Sequence, residues 1–159
     1  VLRVGTGYDI HRLEPGRRLV LGGVEIAFDR GSLGHSDGDA LLHAVIDALL
    51  GAAALGDIGG RFPPSDPAWK EADSRTLLAT VASELRAAGW SAVNVDATVL
   101  LQAPRLAPHI AAMRRTIAAT LGVTFDAVSV KAKTNEGLDA VGEGRAVVAQ
   151  AVALIARET

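Results

Sequence analysis

The longest apolar run in the chain, Ala40 to Leu55, sets the first constraint on the fold. Leu41, Leu42, Val45, Ile46, Leu49 and Leu50 recur at the spacing that keeps side chains on one face of an α-helix. The run carries His43 and Asp47 and is too short to cross a bilayer, so it reads as a core helix and not as a membrane span. The helix is expected over Ser36 to Leu50, with Ser36 or Asp37 capping the free amides of its first turn.

Strand and helix signals alternate around this segment. Leu2-Arg3-Val4-Gly5 reads as a short strand running into Thr6 to His11, and Leu19–Leu21 and Val24–Ile26 flank Gly22-Gly23 as in a hairpin or meander. Gly51 to Pro67 is expected to be a long loop, and loops of that length are usually functional or mobile. A second helix starts at Asp73 or Ser74 and ends at Gly89, with Leu77, Leu78, Val81, Ala82 and Leu85 inward. Val93 to Leu101 alternates like a half-buried strand, Pro108 opens a third helix closed by Gly122, and Val128 to Lys131 is another strand. In the apolar final segment, Arg145 to Ala156, periodicity does not separate helix from strand. The alternation points to a two-layer α/β arrangement, and 159 residues suit a single domain over 1–159.

Composition removes several function classes. A net charge of -2 and six aromatic residues (three Phe, two Trp, one Tyr) offer neither a basic surface for a phosphate backbone nor a stacking platform, so no nucleic-acid partner is expected. The absence of cysteine excludes disulfides and thiolate metal sites, leaving His, Asp and Glu as ligands. No leader or membrane segment is read, and a reducing cytoplasm is the expected location.

Three of the four histidines, His11, His35 and His43, fall early in the chain, among Asp9, Asp37, Asp39 and Asp47. In an extended segment residues i and i+2 share a side, so Asp9 and His11 can reach one ion, and His43 can add a third ligand from a helix. Two imidazoles and one carboxylate suit catalytic zinc with an open fourth position, although Asp-x-His alone is a weak signal that also fits a turn. Asp39 and Asp47, four residues either side of His43, are candidates to orient its second ring nitrogen. In the long loop, Asp57 can hold ribose hydroxyls and glycine amides can approach a phosphate, though a Pro-rich turn fits the same residues. Ala103 to Pro108 brings amides to a helix start, where an anion or base edge binds. Lys133 to Gly137 offers a hydroxyl, an amide and a carboxylate for phosphate and a hard cation; in isolation each of these strings is more often plain structural punctuation.

Together the strings are far more specific. Gly5-x-Gly7-x-Asp9-x-His11, Leu21-Gly22-Gly23-Val24-x-Ile26, His35-Ser36-Asp37-Gly38-Asp39, His43 with Asp47 to Ala52, Leu55-Gly56-Asp57-Ile58-Gly59, Ala72-Asp73-Ser74, Asn94-Val95-Asp96, Gln102-Ala103-Pro104-Arg105 and Lys131-Ala132 occur in order over nearly the whole chain. This pattern resembles the 2-C-methyl-D-erythritol 2,4-cyclodiphosphate synthase family of the non-mevalonate isoprenoid route. The resemblance implies a metal-dependent phosphorus-oxygen lyase: the 2-phosphate of a CDP-linked substrate attacks the β-phosphorus, closing a cyclic diphosphate and releasing CMP. It implies Zn²⁺ on Asp9, His11 and His43, Mg²⁺ or Mn²⁺ on Glu136, and assistance to the transition state from His35 and Thr134. Substrate contacts are implied at Asp9, His11, His35, Ser36, Asp57, Ile58 and Gly59, along Phe62, Pro63, Pro64, Ser65 and Asp66, and at Lys133, Thr134, Asn135 and Glu136. A cytosine pocket is implied at Leu101, Gln102, Ala103, Pro104, Arg105, Leu106 and Ala107. It further implies a mixed β-sheet (α+β) with helices on one face, Arg145 to Ala156 as a strand, and a homotrimer whose sheets pack together with active sites between subunits.

The loop from Lys131 to Arg145 departs from the family pattern: Lys133 stands for a Thr, Ala140 for the usual Phe, and no Arg precedes Gly142-Glu143-Gly144. Lys133 or Arg145 is the expected replacement for the missing charge. Two other readings stay open at this point, a zinc phosphohydrolase that uses water as the attacker and a non-catalytic trimeric ligand-binding protein.

Overall fold

The computed structural model describes residues 1–157; the end of the expected 1–159 unit, residues 158 and 159, lies outside the described residues. The first strand, β1 (Leu2–Pro15), runs well beyond the Leu2–Gly5 segment expected, because its alternation continues through the metal-ligand candidates. Gly5, Gly7, Asp9, His11 and Leu13 share one face, and Leu2, Val4, Tyr8 and Ile10 share the other. A hairpin of β2 (Leu19–Leu21) and β3 (Val24–Ile26) follows as expected. The three-residue β4 (Arg30–Ser32), too short to declare a period, then pairs with Leu13–Pro15 of β1.

The remaining elements are α1 (Ala40–Ala53), α2 (Ile58–Arg61), α3 (Ser74–Ala87), β5 (Ser91–Leu100), α4 (Ile110–Leu121), β6 (Val128–Lys133), α5 (Asp139–Gly142) and β7 (Ala146–Ala156). The sheet order is β4-β1-β7-β5-β6, antiparallel except for the parallel β5–β6 pair. This is the expected mixed sheet, with the long helices α1, α3 and α4 on one face and only the short α5 against the other. The final segment is a strand, and its blurred period has a physical cause. Ala146 and Val148 are buried on the sheet face opposite Val147 and Ala149, packed with Val141 of α5, so apolar residues occupy both parities.

Two local expectations are corrected. The cap of α1 is Asp39, not Ser36 or Asp37: Gly38 has φ +70, which no helix continues, and the Asp39 carboxylate accepts the Leu42 N–H at 2.9 Å. The same carboxylate accepts the N–H groups of Gly22 and Gly23, tying the hairpin to the helix. Burial pushes its carboxyl up to about 6, against the pull of those amides. The expected Gly51–Pro67 loop instead begins with the last turn of α1 and contains α2, which Asp57 caps through the Gly60 N–H at 2.8 Å.

The core lies between α1 and the sheet. Leu41, Leu42, Ile46, Leu49 and Leu50 are fully shielded, each contributing roughly 1.5–3 kcal/mol. The helix rests directly on the strand backbone: a Cβ on Gly5 would lie 2.0 Å from the Ala48 carbonyl oxygen, and one on Gly7 would lie 1.8 Å from that of Ala44. On the opposite face Leu2, Val4, Tyr8, Ile10 and Val152 are exposed. Among the described residues, no helix is long and apolar enough to cross a membrane.

Candidate metal centre and its surroundings

Asp9 and His11 lie on the inner face of β1, and His43 reaches them from the start of α1. His11 Nε2 is 2.7 Å from Asp9 Oδ2, His43 Nδ1 is 2.9 Å from the same oxygen, and the two nitrogens are 3.3 Å apart. His11 Nδ1 lies 2.9 Å from the Leu33 carbonyl. A carbonyl only accepts, so Nδ1 carries the proton of the neutral ring and Nε2 turns a lone pair inward. Acceptor atoms therefore converge on one point, an arrangement that calls for a cation or an extra proton between them. Burial opposes the Asp9 charge, yet hydrogen bonds to His11 and His43 and their charges hold its carboxyl at about 2. Burial also disfavours charged His11, but its bond and attraction to Asp9 outweigh that and raise it from its usual value. Two imidazoles and one carboxylate, with no fourth protein ligand among the described residues, match the donor set of a catalytic zinc site.

Neither Asp39 nor Asp47 orients His43. Asp39 is committed to backbone amides, and Asp47 accepts the Ile58 N–H at 2.7 Å, anchoring α2. The second ring nitrogen, Nε2, meets Ser74 Oγ at 2.8 Å and Ser36 Oγ at 3.1 Å. Sequence reasoning missed Ser74 in this role: it read the residue as a helix start and as part of the Ala72-Asp73-Ser74 string, without a partner.

A cavity of about 180 Å³ opens beside this cluster, lined by His11, His35, Ser36, His43, Ile58, Gly59, Phe62 and Pro64. Trp69 and Leu77 complete its wall and were not anticipated; one of only two tryptophans, in an otherwise polar loop, was the available signal. Trp69 meets Phe62 edge-on at 5.0 Å. His35 Nε2 donates to the Asp66 carbonyl at 3.2 Å, which pins the Phe62–Asp66 loop, while the Asp66 carboxylate caps the following turn through Ala68. Pro63 is half-buried, and Asp57 and Ser65 are exposed.

The other expected site residues gather elsewhere. Leu101, Gln102, Pro104, Arg105, Leu106, Ala107, Lys133 and Thr134 line a separate cavity of about 220 Å³, with Ala103 exposed beside it. Register places Asp9 opposite Ala149, Ala149 opposite Val99, and Val99 opposite Ala132. Three strand spacings, roughly 14 Å, therefore separate the two clusters within one chain. Glu136 is exposed at φ +54, with its N–H donating to Thr134 Oγ1, and Asn135 donates to Asp139. Arg145 is paired with Glu143 at 2.7 Å, whereas Lys133 faces the second cavity.

Known proteins match this chain over nearly its whole length. The model of the YgbB family matches residues 2–156. The 2-C-methyl-D-erythritol 2,4-cyclodiphosphate synthase of Burkholderia thailandensis is 59% identical over 156 residues, covering 98% of this chain and 96% of that protein. The bifunctional IspDF of Campylobacter jejuni superposes with a TM-score of 0.95 at 36% identity; the alignment covers 99% of this chain and 43% of that one. The CDP complex of IspF from Plasmodium falciparum gives a TM-score of 0.87 at 32% identity, covering 99% of this chain and 97% of that chain.

Proposed function

The chain belongs to the YgbB family, and from that premise we propose that it is a cyclodiphosphate synthase of isoprenoid biosynthesis. Its substrate is 4-diphosphocytidyl-2-C-methyl-D-erythritol 2-phosphate. A 2-phosphate oxygen bonds to the β-phosphorus, the bond from that phosphorus to the oxygen leaving with CMP breaks, and the 2,4-cyclodiphosphate is the product. The observation that carries this reading is the convergence of Asp9, His11 and His43 beside a cavity walled by the long loop.

Asp9, His11 and His43 would hold Zn²⁺ and the exposed Glu136 carboxylate would hold Mg²⁺ or Mn²⁺, supplying Lewis acidity and neutralising phosphate charge. The nucleophile belongs to the substrate, so the protein needs no nucleophilic side chain; it brings two anionic groups together and keeps water away. Phe62, Trp69 and Leu77 supply the apolar wall, His35 and Thr134 donate to charge developing on the transferring phosphorus, and Leu101–Ala107 receives the cytosine.

The whole described chain acts as one synthase domain in the cytoplasm and works as a homotrimer. The separation of the two cavities, the exposed apolar outer face, and a β1 edge paired only at Leu13–Pro15 support sites completed between neighbours. Lys133 at the second cavity supplies the cationic charge there, Arg145 being engaged by Glu143. Phosphorus NMR of the zinc- and magnesium-loaded protein with this substrate tests the reading. Coupled diphosphate signals of a cyclic product together with CMP are expected, and lost in His43→Ala. A linear monophosphate product would instead make it a phosphohydrolase.

A further inference from the structure

Behind His43 lies a chain of hydrogen bonds whose direction is fixed at its far end. Ser74, fully buried at the first position of α3, has its Oγ 2.8 Å from His43 Nε2 and 2.5 Å from Asp37 Oδ1. Asp37 also accepts the Ser74 N–H at 2.9 Å and the Asp39 N–H at 3.1 Å. A carboxylate only accepts, so the Ser74 hydroxyl proton is committed to Asp37. The Ser74 oxygen is then left to accept, and His43 Nε2 must carry the proton of the neutral ring. The lone pair falls on Nδ1, the atom that faces Asp9 and His11. Ser36 Oγ, 3.1 Å from Nε2, accepts a long bond from the Gly38 N–H, and its own proton has no acceptor other than the ring among the described residues. It can therefore donate or accept, and does not by itself select a tautomer.

We propose that Asp37 and Ser74 are positioning residues that fix the tautomer and ring orientation of His43 for a divalent cation. This rests on the metal-site reading above. The geometry also couples the site to the packing of two elements: Ser74 comes from α3 and His43 from α1, so the ligand is oriented only when the two helices are in register.

The test is zinc affinity of the full chain by chelator competition, with Zn²⁺ alone, alongside ¹⁵N NMR of the histidine rings in the metal-free protein. Partners of this kind typically alter metal affinity by about 10–100-fold. Ser74→Ala should weaken binding within that range and spread His43 over both tautomers, and Ser74→Thr, which keeps the hydroxyl, should restore both. Asp37→Asn should weaken binding when Ser74 is present and add nothing on the Ser74→Ala background, because it acts through that hydroxyl. Zinc bound equally well by Ser74→Ala and Asp37→Asn would overturn the proposal while leaving the metal site standing. Affinity losses that merely track melting temperature, with Ser74→Thr as impaired as Ser74→Ala, would also overturn it. A wild-type chain that binds no zinc, or a His43→Ala variant that binds it undiminished, would overturn the proposal and the metal site together.

Discussion

Adding one methyl group to Gly7 tests the closest contact in the fold. Its Cβ would stand 1.8 Å from the Ala44 carbonyl oxygen, 2.8 Å from that carbonyl carbon and 2.9 Å from the Ala48 nitrogen, all backbone atoms of α1. No side chain can swing aside. The helix must retreat by roughly 1.6 Å for ordinary van der Waals contact to return. Overpacking of this kind costs about 1–3 kcal/mol or more. At ~2–4 °C per kcal/mol for a chain of this size, Gly7→Ala should melt about 2–12 °C lower. The retreat also has a chemical consequence. Asp9 is two residues along β1 from Gly7, and His43 adjoins Ala44, so their 2.9 Å approach widens as the layers part. Zinc affinity should fall by at least ~10-fold, since ligand distances tolerate only ~0.2 Å. Gly51→Ala is the control, because its Cβ would meet only the Thr6 carbonyl oxygen at 3.9 Å. Alanine favours an α-helix by about 0.8–1 kcal/mol over glycine, so this variant should melt higher and hold zinc normally. Thermal melts with and without zinc, plus chelator competition, decide the matter. A Gly7→Ala protein that melts and binds like wild type would refute the direct seating of α1 on β1.

Three further outcomes are expected. In the metal-free protein, His11 is raised above 6.5, so its contribution to stability is complete below 6.5 and is lost as pH rises through the raised value. Asp9 is held at about 2 against 3.8, so its contribution is present above 3.8 and lost as pH falls through about 2. The pair therefore stabilises the metal-free fold most between 3.8 and 6.5, whereas the melting-point gain from zinc should grow from about pH 6 to about pH 8, as calorimetry across pH would show. Arg114 donates to the Val128 and Phe125 carbonyls and lies 3.8 Å over the Phe125 ring, so Arg114→Ala should cost about 1–2 kcal/mol in urea unfolding, and Arg114→Lys should recover only part of it. Val4→Asp, on the exposed outer face, should reduce the assembled mass seen by light scattering while leaving the helical circular dichroism intact.

The Asp9, His11 and His43 cluster was legible because its signal is local. Asp9 and His11 share a strand face by spacing alone, and the apolar stripe of α1 placed His43 on a helix. What surrounds them was not legible for the opposite reason. Ser74 meets His43 only after α1 and α3 pack, and nothing between Asp37 and Ser74 in the chain announces that they touch. Ser36, Asp37 and Asp39 are all competent caps by residue type, and the positive φ of Gly38 decides among them. The glycines at positions 5 and 7 were read as parts of a motif, but their reason, a helix backbone lying against the strand, belongs to the packed layers.

β1 also has a consequence for how this sequence can change. Its odd positions hold Asp9, His11 and the helix contact, and its even positions form the exposed outer face, so every residue from Leu2 to Leu13 has a parity. Inserting or deleting one residue ahead of Asp9 would swap the two sets, turning carboxylate and imidazole outward and driving Tyr8 or Ile10 into the space now left to glycine. Substitutions in this strand can be gradual, but length changes cannot. Variation in length should therefore collect beyond Pro15, at the exposed turn around Gly16, where an added Cβ would meet nothing within 4 Å.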